Sequence, residues 1–152
     1  QSVVQQAAEI AKFSIGKRHA FEIQSGDTSL QCAGSASDIE QVIVNLVVNA
    51  AQALGERTDG AIDVTMRRDG DFAELEVADN GPGIREEDVE SIWDPFFSRS
   101  TSGNGLGLGL AICSTIVQQH SGALNVRNRE SGGAVFVLRL PISTVQQREG
   151  IA

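Results

Sequence analysis

The chain has 152 residues, 41% of them hydrophobic, and a formal net charge of −8. That suits one domain with a core of its own, contains no run of the roughly 18 apolar residues that cross a membrane, and lacks the basic stripe of a nucleic-acid binder. Gln1-Ser2-Val3-Val4-Gln5 reads as an internal start rather than a signal peptide, and Cys32 and Cys113 stand apart, as reduced core thiols of a cytoplasmic protein do.

Residues 2–15 carry Val3, Ala7, Ile10, Ala11 and Phe13 at helical spacing. His19–Gln24 and Leu30–Ala33 read as short strands around a Ser-Gly-Asp turn. Ser35 or Ser37 is placed to cap a helix running to about Leu54, with Asp38 and Glu40 suited to its positive first turn. Ala61–Arg67 and Phe72–Ala78 alternate like paired strands around Arg68-Asp69-Gly70-Asp71. Glu86–Trp93 reads as a short acidic helix and Asp94–Gly105 as a loop. A second core helix spans Leu108–His120, ended by Gly122. Ala123–Arg127 and Ala134–Leu140 form a closing hairpin, stopped by Pro141, and a polar tail follows Ser143. Strands mixed with a few helices predict an α+β two-layer sandwich.

The most informative stretch is residues 45–53, Asn-Leu-Val-Val-Asn-Ala-Ala-Gln-Ala. At about 100° per residue, Asn45, Asn49 and Gln52 share one narrow stripe. Ile39, Val42, Ile43, Leu46, Ala50, Ala53 and Leu54 form another, so one face packs and the other needs a polar partner. Magnesium with nucleotide phosphates fits, because Mg²⁺ takes oxygen ligands and shares them with phosphate.

Asp79-Asn80-Gly81-Pro82-Gly83 directly follows a strand. A buried acid there can accept the amine of adenine, and the glycines let a ring approach the backbone. The same residues also make an ordinary turn with no ligand. Gly103-Asn104-Gly105-Leu106-Gly107-Leu108-Gly109-Leu110 leads into a helix, where free N–H groups and the helix dipole suit phosphate. It fits neither the dinucleotide fingerprint nor the P-loop, so a nucleotide site here is of another type. Between these motifs, Trp93, Phe96 and Phe97 read either as core or as the anchor of a lid, and Arg99 is a candidate phosphate contact. His19 and His120 lie beside no Cys, His or acid cluster in sequence and read as structural.

The asparagine helix, Asp-x-Gly-x-Gly, the Phe-Phe loop and Gly-x-Gly-Leu-Gly-Leu occur in this order. Together they resemble the ATP-binding catalytic domain of sensor histidine kinases over roughly residues 2–141. Asn-Ala-x-Gln-Ala and Trp-x-Pro-Phe-Phe look most like the nitrogen- and dicarboxylate-sensing branch. The resemblance implies a Bergerat-type sandwich: helices on one face of a mixed, largely antiparallel sheet. Residues 1–143 would be the catalytic domain and 144–152 a tail. ATP and Mg²⁺ would be the cofactors. Asn49 would ligate the metal, Asn45 would sit near the phosphates, and Gln52 stands where many relatives carry Lys. Asp79 would take the adenine amine, beside Gly81, Gly83 and Ile84. Gly105, Leu106, Gly107, Leu108 and Gly109 would line the triphosphate under a lid from about Phe96 to Asn104, which includes Phe97. Ala134 and Val135 stand where threonines are common.

Hydrolysing relatives carry a glutamate where this chain has Asn45, so the site is expected to activate water poorly. Asn45 and Arg99 are therefore the expected catalytic groups, stabilising a phosphoryl transfer to a histidine on a separate dimeric hairpin. That hairpin's signature is not in this sequence. A response regulator would be an indirect partner, with no nucleic acid and no direct membrane contact. The alternatives are a nucleotide-gated binding module of the same fold, as in anti-sigma or degenerate kinases, and an ATP-hydrolysing clamp, which would need the missing glutamate.

Overall fold

The computed structural model describes residues 2–26, 30–98 and 107–143. In chain order the elements are α1 (Val3–Ile15), β1 (Ala20–Ser25), α2 (Ala36–Leu54), β2 (Ala61–Asp69) and β3 (Phe72–Asp79), then α3 (Gly109–Gln119), β4 (Ala123–Asn128) and β5 (Ala134–Pro141). Two single 3-10 turns, Glu86–Asp88 and Ser91–Trp93, lie between β3 and α3. The five-stranded sheet runs β1-β2-β3-β5-β4. β1 is parallel to β2, and every other neighbour is antiparallel.

α2 is the central helix. Ser35 Oγ accepts from the Asp38 N–H at its start, satisfying one of the N–H groups the helix leaves free, and Asp38 faces the positive end. Val42, Ile43, Leu46, Val47, Ala50 and Leu54 are buried along one side. That side meets β2 and β3, while α1 and α3 flank the helix. α1 approaches closely because its buried residues are Val4, Ala7, Ala8 and Ala11, mostly a methyl group each.

The sheet presents alternate residues to this core: Ile62 and Val64, Leu75 and Val77, then Phe136, Leu138 and Leu140. Register aligns Val64, Val77, Phe136 and Val126 across four strands. Burying each such side chain contributes about 1.5–3 kcal/mol. Trp93 closes the layer, edge-on to Phe136 at 6.0 Å between ring centroids. The reverse face is charged: Glu74 lies between Arg67 and Arg139, and Arg127 pairs with Glu76. One apolar face and one solvated face is the pattern expected of a largely antiparallel sheet.

Three expectations are corrected. Leu30–Ala33 does not form a strand; Cys32 makes one isolated antiparallel bridge to Ile142. Glu86–Trp93 is two 3-10 turns, because three consecutive acids give no apolar repeat to hold a helix against the core. Ala53 is exposed, because it lies at the edge of the apolar side, between the exposed Gln52 and the buried Leu54. The expected tail lies outside the described residues beyond Ser143.

Candidate functional site

Asp79 ends β3 and is only 2% exposed. Its Oδ1 accepts from the Gly81 N–H at 2.8 Å and from the Ala134 N–H at 3.4 Å. Burial pushes its carboxyl up from the ordinary carboxylate value; the two backbone hydrogen bonds and the guanidiniums of Arg129 and Arg57 oppose that shift. Gly81 is required by space, because a Cβ there would stand 2.9 Å from Asp79 Oδ1 and 3.4 Å from the Ala53 carbonyl oxygen. The turn bearing the acid therefore packs against the last turn of α2. Gly83 has φ +76° and faces Asn128, whose side chain accepts from Ile84 N–H at 2.8 Å and donates to the Ile84 carbonyl at 2.7 Å. Ile84 itself packs against the core.

On α2, Asn45 and Asn49 are half-buried between the fully buried Leu46, Val47 and Ala50, and Gln52 is exposed. The predicted polar stripe is thus one continuous side of the helix. Asn45 faces the thiol of Cys113 on α3 and favours its charged form. Burial nevertheless pushes that thiol up to about 11. The Cys113 thiol also reaches the Val42 carbonyl at 3.8 Å, fixing the start of α3 against the middle of α2.

Leu108 is the residue before α3, and no side chain caps the helix there. The first-turn N–H groups, beginning at Gly109, form the positive end of the helix, which suits an anion. Gly107 has φ +69° and packs directly on the backbone of Phe96 and Phe97, and the Phe96 N–H donates to the Gly107 carbonyl at 3.0 Å. Phe97 packs on the core, whereas Phe96 is 74% exposed in a left-handed conformation, φ +66°. Of the two readings of the aromatics, Trp93 and Phe97 are core and Phe96 is not. Arg99, Gly105 and Leu106 lie outside the described residues.

The geometry adds residues the sequence did not single out. The Asn80 side chain accepts from Ala61 N–H at 2.7 Å and donates to the Asp59 carbonyl at 2.8 Å. Arg57 donates to the Asn80 carbonyl at 2.7 Å, and Arg129 to the Asp79 carbonyl at 3.1 Å. Asn80 lies inside a motif and was findable; Arg129 acts across 50 residues of chain, which spacing does not reveal. A cavity of about 490 Å³, lined by Val3, Leu30, Ile39 and Leu138 among others, lies at the opposite end of the sandwich, away from Asp79.

The sequence matches the family of histidine kinase-, DNA gyrase B- and HSP90-like ATPases over residues 34–144, most of the chain. The chain belongs to that ATPase family. This histidine kinase-like ATPase domain is 43% identical to the C4-dicarboxylate transport sensor protein DctS of Rhodobacter capsulatus, over 68% of the chain. It is 35% identical to the sensor histidine kinase ZraS of Escherichia coli K12, over 81% of the chain. It spans only 16% of the former and 26% of the latter. Among solved structures, the catalytic domain of histidine kinase ThkA superposes with a TM-score of 0.80 at 33% identity, covering 91% of this chain and 90% of that one. ThkA has also been solved in complex with the response regulator protein TrrA, with a TM-score of 0.77 at 30% identity over 93% of this chain and 40% of that one. The α+β sandwich is therefore that of histidine kinase catalytic domains, and the relatives include sensor proteins of the dicarboxylate branch. No helix among the described residues is long and apolar enough to cross a membrane.

Proposed function

We propose that residues 1–143 bind ATP with Mg²⁺ and present the γ-phosphoryl group to a histidine on a separate helical hairpin of the parent protein. A response regulator is the onward acceptor, residues 144–152 are a tail, and the domain works in the cytoplasm whether or not its parent is anchored. The observation that carries this reading is Asp79: a carboxylate 2% exposed, both of whose hydrogen bonds fall on Oδ1, beside a glycine that a Cβ would fill. An ionised acid so placed accepts the adenine amine, and Gly81, Gly83 and Ile84 form the wall beside the ring. The donor chemistry also fits the metal: Asn49 offers a neutral amide oxygen on the α2 stripe, the hard ligand Mg²⁺ prefers in company with phosphate. The bound ion supplies charge neutralisation along the triphosphate. Asn45 and Gln52 share that stripe with Asn49, the start of α3, Gly107 to Gly109, would take phosphate, and Gly105, Leu106 and Arg99 are assigned to the same role from the sequence motif alone.

Asn45 carries an amide one turn before Asn49. An amide does not take a proton from water, so the site favours transfer to a protein acceptor over hydrolysis. Calorimetric titration of ADP and ATP into the 152-residue chain tests this. Asp79→Asn should abolish measurable binding with an unchanged circular dichroism spectrum; unchanged affinity overturns the reading. Asn49→Ala should lose the magnesium-dependent part of ATP affinity selectively. The hairpin added in trans should gain phosphate, whereas fast phosphate release to water without it would favour a hydrolase.

A further inference from the structure

Two guanidiniums grip consecutive carbonyls of the turn that carries Asp79. Arg129, on the β4–β5 hairpin, donates to the Asp79 carbonyl at 3.1 Å. Arg57, in the loop after α2, donates to the Asn80 carbonyl at 2.7 Å. Arg57 is held in place by Asp59, whose two carboxylate oxygens accept from its Nε and Nη2 at 3.1 Å each. The two come from opposite sides of the turn, and the same hairpin adds the Asn128 clamp on Ile84 and the Ala134 N–H on Asp79 Oδ1.

We propose that Arg57 and Arg129 are positioning residues for base recognition: by holding the Asn80 and Asp79 carbonyls they fix the turn that aims the Asp79 carboxyl, so that the site selects a 6-amino purine over a 6-oxo purine. The proposal rests on the reading of Asp79 as the adenine acceptor. Its electrostatic logic is a balance. Burial drives the Asp79 carboxyl up; the Gly81 and Ala134 N–H groups push it back down first, and Arg129 and then Arg57 add to them as the charged groups facing it; Asp59 faces Arg57 and is itself held below the usual carboxylate range by that pairing. An ionised Asp79 accepts from an exocyclic amine and repels a carbonyl oxygen in the same place. A protonated one donates, and so welcomes a 6-oxo group and loses the amine. Removing either arginine raises the Asp79 carboxyl further. Protonation then begins at higher pH, and loss of 6-amino selectivity moves from the acid side toward neutrality.

The test uses the 152-residue chain with ADP and IDP as probes, over a pH series that covers the Asp79 titration. The ¹³C resonance of the Asp79 carboxyl is followed over the same range without nucleotide. Arg129→Met and Arg57→Met should each weaken ADP binding by about three- to tenfold at neutral pH, the worth of one hydrogen bond. They should also shift the Asp79 carboxyl titration upward and lower the ADP-to-IDP affinity ratio progressively as pH falls. Arg129→Lys and Arg57→Lys, which keep the charge, should restore most of the titration and of the ratio. Equal losses of ADP and IDP affinity at every pH, or an unmoved Asp79 titration, would overturn the proposal and leave the arginines a packing role. Asp79→Asn separates the two levels. If it leaves ADP binding intact, the adenine reading fails. If it abolishes ADP binding while the arginine variants keep the wild-type pH profile, only the present inference fails.

Discussion

Gly133 and Gly132 are adjacent, with φ of +95° and +97°, yet they are not equivalent. A Cβ on Gly133 would strike the Asp79 carbonyl, whereas one on Gly132 would meet nothing nearer than the Gly81 carbonyl oxygen at 3.9 Å. Gly132→Ala should therefore cost only backbone strain, about 1 kcal/mol, with ADP affinity within about twofold. Gly133→Ala adds a backbone collision that pushes the Asp79 turn outward. It should cost about 2–4 kcal/mol by urea denaturation and weaken ADP binding by more than about tenfold in calorimetry. The sequence displays Gly-Gly as a turn signal but does not rank the pair; the ranking depends on a strand end more than 50 residues away. Asp79, by contrast, was legible, because an acid at the end of an alternating strand followed by spaced glycines is a local pattern. Its arginine supports and the Asn128 clamp were not, because each reaches it through tertiary structure alone.

α2 and α3 frame the candidate phosphate site at one end and are pinned together at the other by His120. The Ser35 N–H donates to His120 Nε2 at 3.1 Å, so that nitrogen is the acceptor and Nδ1 carries the proton, which it gives to the Ile116 carbonyl at 2.8 Å. One neutral ring thus joins the last turn of α3 to the residue that caps α2, and Gly34 lies flush against it. His120→Ala removes both bonds far from the Asp79 turn. It should lower stability by about 1–3 kcal/mol in urea denaturation while leaving ADP affinity within about twofold. The structural role of His120 was readable from its place at a helix end, but its partner, 85 residues earlier, was not. Both long helices were legible because apolar residues recur at their period. The stretches that failed, Leu30–Ala33 and Glu86–Trp93, are short: the first makes one isolated bridge, Cys32 to Ile142, and the second only two 3-10 turns.

The whole sandwich was legible as far as its parts are local. β2–β3 closes on Gly70 at φ +59°, and β4–β5 on a glycine-rich turn; each hairpin announces itself by alternating residues around turn formers. The parallel pairing of β1 with β2 has no such signature, and only the resemblance implied a mixed sheet. Parallel neighbours cannot be joined by a tight turn, so the chain between them must cross over, and α2 with its asparagines is that crossover. The consequence concerns the order of events during refolding. The hairpins require only short closures, whereas seating α2 means closing the long segment from Ser25 to Ala61. Trp93, the chain's single tryptophan, meets a hairpin strand edge-on through Phe136, so its fluorescence reports the sheet core. In stopped-flow refolding, that signal should recover first, and capture of a fluorescent ADP analogue should follow in a slower phase.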